Sequence, residues 1–194
     1  MTLVEPLAVT VRVARALELL GVRYLIGGSL ASSFHGVPRS TNDAGLVAEI
    51  PASLADDLAA DLAADFYVDA DMIRDAAIRG TSFNIIHLET MFKVDIFIAT
   101  RDVLGQEELR RRQEHRLAPD DEARAFFASA EDTILQKLDW YQKGGGISDR
   151  QWGDVLGVLA VQGRTLDFTY MQKWAPHLGV VALLDRALAE AKLP

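Results

Sequence analysis

The chain of 194 residues contains no cysteine. Disulfides and thiolate zinc sites are thereby excluded, and a cytoplasmic location is the expectation. No apolar run approaches the roughly 20 residues of a membrane span, so no membrane partner is expected. The opening MTLVEPLAVTVRVARALELL carries Glu5 early and has neither a basic leading region nor a small-residue cleavage site, so no signal peptide is read in it. Basic residues are the minority charge, 20 Lys and Arg against 28 Asp and Glu, for a net charge of −8. A surface of that sign does not draw polyanions as a whole, so any polyanion needs a local basic patch or bound cations. LRRRQEHR, with Arg110, Arg111, Arg112 and Arg116, is one such run, and it reads first as the solvated face of a charged helix. No repeat and no low-complexity segment stands out.

What is present is an ordinary globular composition, 49% hydrophobic and 25% charged, enough for one domain or a compact domain with a helical extension. Leu7, Val11, Ala14, Leu17 and Leu20 recur at helical spacing, and Gly21 marks a stop. VRYLIGG reads as a short buried strand running into two glycines, SLASSFHG as a short helix from Ser29 to Gly36, and DAGLVAEI as a second strand. An Ala-rich helix opened by Pro51 follows, then a short strand at FYV and a short helix at RDAAIRG. TSFNIIHL and MFKVDIFIA read as an antiparallel hairpin turning at Glu89-Thr90, and RAFFA adds an edge strand or a docking loop. From Ser129 the pattern is helical. SAED and SDRQ are N-cap signals, KGGGIS is a loop between them, and two further helices run over about 167–177 and 179–192. The expected fold is α+β: a mixed α/β core over residues 1–128 with helices on one side of a mixed sheet, then a helical bundle over 129–194 packing on the core.

Three features bear on chemistry. The first is IGGSLASSFHG, a strand, two glycines, a serine and a helix start. Glycines admit an anion close to the backbone and a helix start offers unpaired N–H groups, though the same residues also make a plain tight turn. It is not a P-loop, because no Gly-Lys-Ser/Thr follows. The second is Asp43 at the head of a strand, and the third is Asp95 within one. Lys93, Asp95 and Phe97 alternate with Val94, Ile96 and Ile98, so Asp95 shares a face with Lys93. A carboxylate there either pairs with Lys93 or an arginine, or ligates magnesium. The four histidines have no metal-ligand spacing and read as structural. Trp140, Tyr141 and Trp152 flank the glycine loop and read as packing or loop anchors before base-stacking platforms.

YLIGGSLASSFHGVPRSTNDAGLV followed by KVDIFIA resembles the DNA polymerase β-type nucleotidyltransferase superfamily, and more closely its minimal AbiEii-like branch, which includes toxins of toxin–antitoxin systems. The resemblance covers about residues 20–160 and implies a nucleotidyltransferase core. It implies Mg²⁺-dependent transfer of NMP from an NTP to a hydroxyl acceptor on a tRNA, a protein or a small molecule. By carry-over, Gly27, Gly28 and Ser29 hold phosphate, and Asp43 and Asp95 are the catalytic, metal-holding acids. EDTILQKLDWY supplies Lys137 as a mobile charge for the leaving pyrophosphate, and SDRQWGDVLG supplies Arg150 and Asp154; Lys137 and Asp154 shape the nucleotide pocket. Arg39 and Thr41 lie on the approach to the acidic strand, where a turn anchor and a local cap are at least as good a reading. A homodimer or a cognate protein partner completes the expectations.

One position departs from the pattern. The resemblance calls for an acid two residues after Asp43, and the chain has Gly45. Two acids at that spacing share a face roughly 6.6 Å apart and bridge two ions. Glu49 has the right parity but lies roughly 13 Å beyond position 45. Loss of one ligand of three lowers the rate by several orders of magnitude. The reading is therefore a nucleotidyltransferase-fold protein with impaired transfer; the alternative is a non-catalytic nucleotide-binding or protein-interaction module, in a toxin–antitoxin setting or outside one.

Overall fold

The computed structural model describes residues 5–117 and 123–193, and the chain falls into two compact units. The first comprises Met1–Gly27 and Thr41–Phe127, the second Gly28–Ser40 and Ala128–Pro194.

The first unit opens with α1 (Glu5–Leu19), whose buried stripe includes Val9, Val13, Ala14, Ala16 and Leu17. Gly21 ends this helix with φ +68°, letting Val22 N–H bond back to Leu17 O. The strand β1 (Tyr24–Gly27) follows. β2 (Asp43–Ala48) pairs with it antiparallel, Gly27 opposite Gly45 and Tyr24 opposite Ala48. After Pro51 a single 3₁₀ turn leads into α3 (Ala55–Leu62), and β3 (Phe66–Tyr67) and α4 (Ala70–Arg79) come next. The Asp69 side chain caps α4 by accepting from the N–H groups of Asp71 and Met72. β4 (Ser82–His87) and β5 (Lys93–Ile98) form the expected antiparallel hairpin. α5 (Val103–Arg111), β6 (Gln113–Arg116) and β7 (Arg124–Phe127) complete the unit.

Among the described residues the sheet has seven strands in the order β3-β4-β5-β2-β1-β7-β6. β2 runs parallel to β5 and β7 parallel to β1, so the sheet is mixed. One face carries the core: Tyr24, Ile26, Leu46, Ala48, Val94, Ile96 and Ile85 share it and are all buried. α1 packs on β2 and β7, and α4 on β4. Burying side chains of this size is worth about 1.5–3 kcal/mol each, which holds the strands in a register that a one-residue slip would invert.

Two expectations are corrected here. RAFF is not an edge: β7 lies between β1 and β6, because Gln113–Arg116 adds a further strand outside it. LRRRQEHR is not one helical face, since α5 ends at Arg111 and Arg116 belongs to a strand. Arg112, between the two elements, lies over the Phe126 ring at 4.6 Å.

The second unit contains α2 (Gly28–His35) and four further helices: α6 (Ala130–Lys143), α7 (Asp149–Gln162), α8 (Phe168–Leu178) and α9 (Val181–Glu190). Ser129 caps α6 and Ser148 caps α7, each accepting from the N–H three residues on. α2 crosses α7 so closely that a Cβ on Gly36 would stand 2.6 Å from Val158 N. In the KGGGIS loop Gly145 and Gly146 have φ of +81° and +71°, a backbone that other residues adopt only with strain.

Candidate functional site

The sequence-derived acids lie in the first unit. β2 and β5 set Asp43 opposite Lys93 and Gly45 opposite Asp95. Extending that row, Gly27 stands opposite Gly45 and Asn84 opposite Asp95. Strand alternation puts positions 43, 45, 93 and 95 on the face opposite the apolar core, and Asp95 is half-buried there. Asp43 is exposed, and Thr41 Oγ1 lies 3.0 Å from both its Oδ1 and its backbone oxygen. Thr41 thus orders the turn into the strand and orients the Asp43 carboxylate.

Lys93 Nζ is 2.7 Å from Asp95 Oδ2. The hydrogen bond to Asp95, reinforced by the charges of Asp95 and Asp43, raises the Lys93 ammonium above its ordinary value against the opposing effect of burial. Gly45 has no steric justification: a Cβ built there meets nothing within 4 Å, and its φ lies outside the left-handed region. The face therefore has room for a side chain that it does not carry.

The Mg²⁺ implied by the resemblance can be tested against this donor set. Two carboxylates are present, one is held by an ammonium, and the third position is a glycine. Among the described residues no group of three or more His, Asp or Glu is placed to hold a metal. The residues present do not fit a two-metal centre. Two of the histidines make local hydrogen bonds: His35 Nε2 is 2.7 Å from Ala128 O, and His87 Nδ1 is 2.9 Å from Thr90 Oγ1.

The remaining sequence-derived residues gather in the second unit. Gly28 begins α2 with φ +58°, a conformation that glycine reaches without strain, and Ser29 follows half-buried. Arg39 Nη2 donates to Ser29 Oγ at 2.8 Å. The same guanidinium grips Asp154 with both arms, Nε to Oδ1 at 2.6 Å and Nη2 to Oδ2 at 2.8 Å. From α6, Lys137 Nζ donates to Asp154 Oδ2 at 2.6 Å. Lys137 and Asp154 are both buried, 5% and 8% exposed. Burial works against the Asp154 carboxylate, but hydrogen bonds from Arg39 and Lys137 outweigh it and hold the acid below its ordinary value. Arg39 and Lys137 thus both bond to Asp154, beside the Ser29 hydroxyl. Sequence reasoning left Arg39 as a turn anchor. Its central place in the cluster depends on a partner 115 residues away that no local pattern reveals. Arg150, in the first turn of α7, is exposed.

Trp152 and Tyr141 are buried with ring centroids 5.3 Å apart, and Trp152 Nε1 donates to Glu190 at 3.1 Å. Both pack, as expected of them. Trp140 is exposed, with Lys143 Nζ 5.9 Å from its ring centroid. In the first unit a cleft of ≈ 820 Å³ is lined by Glu49, Pro51, Ile78, Arg79, Thr100 and Arg101 among others. It sits at the far ends of β2 and β5 from Asp43 and Lys93, where Glu49 is tied to Arg23 at 2.6 Å and to Gln106 at 2.8 Å.

The fold built from these elements is that of nucleotidyltransferases. The chain is similar to an antigenic nucleotidyltransferase-like protein from Paracoccidioides brasiliensis, with a TM-score of 0.58 at 17% identity over 97% of this chain and 93% of that one. It is similar also to the antibiotic-resistance factor ANT(2'')-Ia in solution, with a TM-score of 0.56 at 11% identity over 93% of this chain and 97% of that one. A structure of ANT(2'')-Ia in complex with adenylyl-2''-tobramycin gives 0.53 at 11% identity, over 88% and 95% of the two chains. No protein-family model and no curated protein matches the sequence.

Proposed function

We propose that this chain is a nucleotide-binding protein of the nucleotidyltransferase fold whose NMP transfer is impaired at Gly45. The observation that carries the reading is the register of β2 on β5, which places Gly45 directly beside Asp95, where the motif calls for an acid. The roles follow the resemblance. Gly27, Gly28 and Ser29 take phosphate, while Lys137 and Asp154, held together with Arg39, form the nucleotide pocket. Asp43 and Asp95 are the surviving acids of the catalytic, metal-holding set. Support for phosphate binding is the placing of two cations, Arg39 and Lys137, in one hydrogen-bonded cluster with the Ser29 hydroxyl, a combination that suits a polyanion.

The family reaction adds NMP from an NTP to a hydroxyl group with Mg²⁺, and the acceptor belongs to tRNA, protein or small molecules. Motif order favours the AbiEii-like branch, and with it a cytoplasmic protein working as a homodimer or beside a cognate partner. The acid set that such transfer needs is incomplete here, so binding is the activity assigned to the chain as it stands.

Millimolar NTP is expected to raise the melting temperature, and Lys137→Met and Ser29→Ala are expected to reduce that rise. Ser29→Ala removes one hydroxyl from a half-buried position and is the variant that tests binding with least effect on folding. Absence of any shift with all four NTPs would remove the nucleotide reading and leave a protein-interaction module.

A further inference from the structure

We infer that Lys93 is the resident cation of the acidic face, occupying the Asp95 carboxylate that a divalent metal would need. The geometry on both sides of Asp95 leads to this assignment. On β5 itself, Lys93 Nζ sits 2.7 Å from Asp95 Oδ2, two residues along the same face. On β2, Lys93 stands opposite Asp43, and Asp95 stands opposite Gly45. The ammonium therefore faces both acids, while the position that would add a third negative charge has no side chain. Three acids around one lysine leave a net charge of −2, which draws a dication. Two acids around one lysine leave −1, already half neutralised at short range, and a dication reaching Asp95 competes with an ammonium already bonded to Oδ2. Asn84, opposite Asp95 on β4, brings an uncharged amide and does not restore the missing charge.

The inference rests on reading the Asp43–Asp95 face as the fold's acidic site, but not on nucleotide binding, which is assigned to residues elsewhere. It is tested with Mn²⁺ alone, in a titration of the full chain that reads free Mn²⁺ by electron paramagnetic resonance. The wild-type chain is expected to show no saturable binding below millimolar Mn²⁺. Lys93→Met is expected to bind about tenfold tighter or better, because one competing charge is gone. Adding Asp95→Asn to that variant is expected to abolish the gain. Gly45→Asp, with Lys93 kept, tests the other half and is also expected to tighten binding. Micromolar wild-type binding that Asp95→Asn removes would overturn the inference, because the metal would then displace Lys93 unaided. A folded Lys93→Met variant that binds no tighter than wild type would overturn it equally; if that variant fails to fold, Lys93→Gln is subject to the same criterion. Either of these overturning results, alongside an intact NTP-induced thermal shift, would sink this inference and leave the proposed function standing.

Discussion

Burial pushes the Asp154 carboxyl up, and the hydrogen bonds and charges of Arg39 and Lys137 outweigh it and hold the acid below its ordinary value. Its folded value lies below the unfolded one. Its contribution to stability is therefore present above the ordinary aspartate range, near about 3.9, and lost as pH falls through the folded value. Asp154→Asn should lower the melting temperature at neutral pH and flatten the acid side of the stability profile below about pH 5. A variant with the wild-type acid slope would show that the ionised triad is not what holds these groups together. Lys137 and Asp154 were both singled out in the sequence, as an expectation about one pocket. Their mutual contact was not, because it joins two helices, and Arg39 joins them from a loop. Gly45 was legible as a gap in a motif. The structure adds that nothing physical demands a glycine there: a Cβ has open space, so Gly45→Asp should fold with a melting temperature within a few degrees of wild type.

Elements with strong periodicity or caps were the legible ones. The α1 stripe, the serine caps of α6 and α7, and the β4–β5 hairpin each carry their signal within a dozen residues. β6 carries none. Gln113–Arg116 has no apolar alternation and exists as a strand because β7 offers it a ladder, Gln113 opposite Phe127 and Arg116 opposite Arg124. Once that strand forms, β7 becomes an interior strand, which no reading of RAFF alone could supply. The crossing of α2 on α7 was equally invisible, since it depends on Gly36 meeting the backbone of Gly157 and Val158. Gly36→Ala should destabilise the protein by about 1–3 kcal/mol, measured by denaturant unfolding, because the obstructing atoms are main chain and yield only by separating the helices. Ser148→Ala should cost about 1 kcal/mol in the same assay through loss of the α7 cap. A null result for Gly36→Ala would mean the crossing is looser than its geometry indicates.

At the scale of the molecule, fold and activity separate. The nucleotidyltransferase fold is supported by solved structures that match this chain over nearly its whole length at 11–17% identity. The chemistry of that fold depends on a few side chains on one sheet face, and there this chain has two acids, a lysine and a glycine. The core residues lie on the opposite face of the same sheet, so the residue at position 45 bears little on the core. The central claim is that transfer is impaired at one position in an otherwise retained framework. The direct measurement compares wild type and Gly45→Asp for incorporation of label from α-labelled NTPs into the tRNA, protein and small-molecule fractions of a lysate, with Mg²⁺ present. The account predicts incorporation by Gly45→Asp at about 10²-fold or more above a wild-type rate near background. Wild-type incorporation equal to that of the variant, or a folded Gly45→Asp protein that transfers nothing, would contradict it.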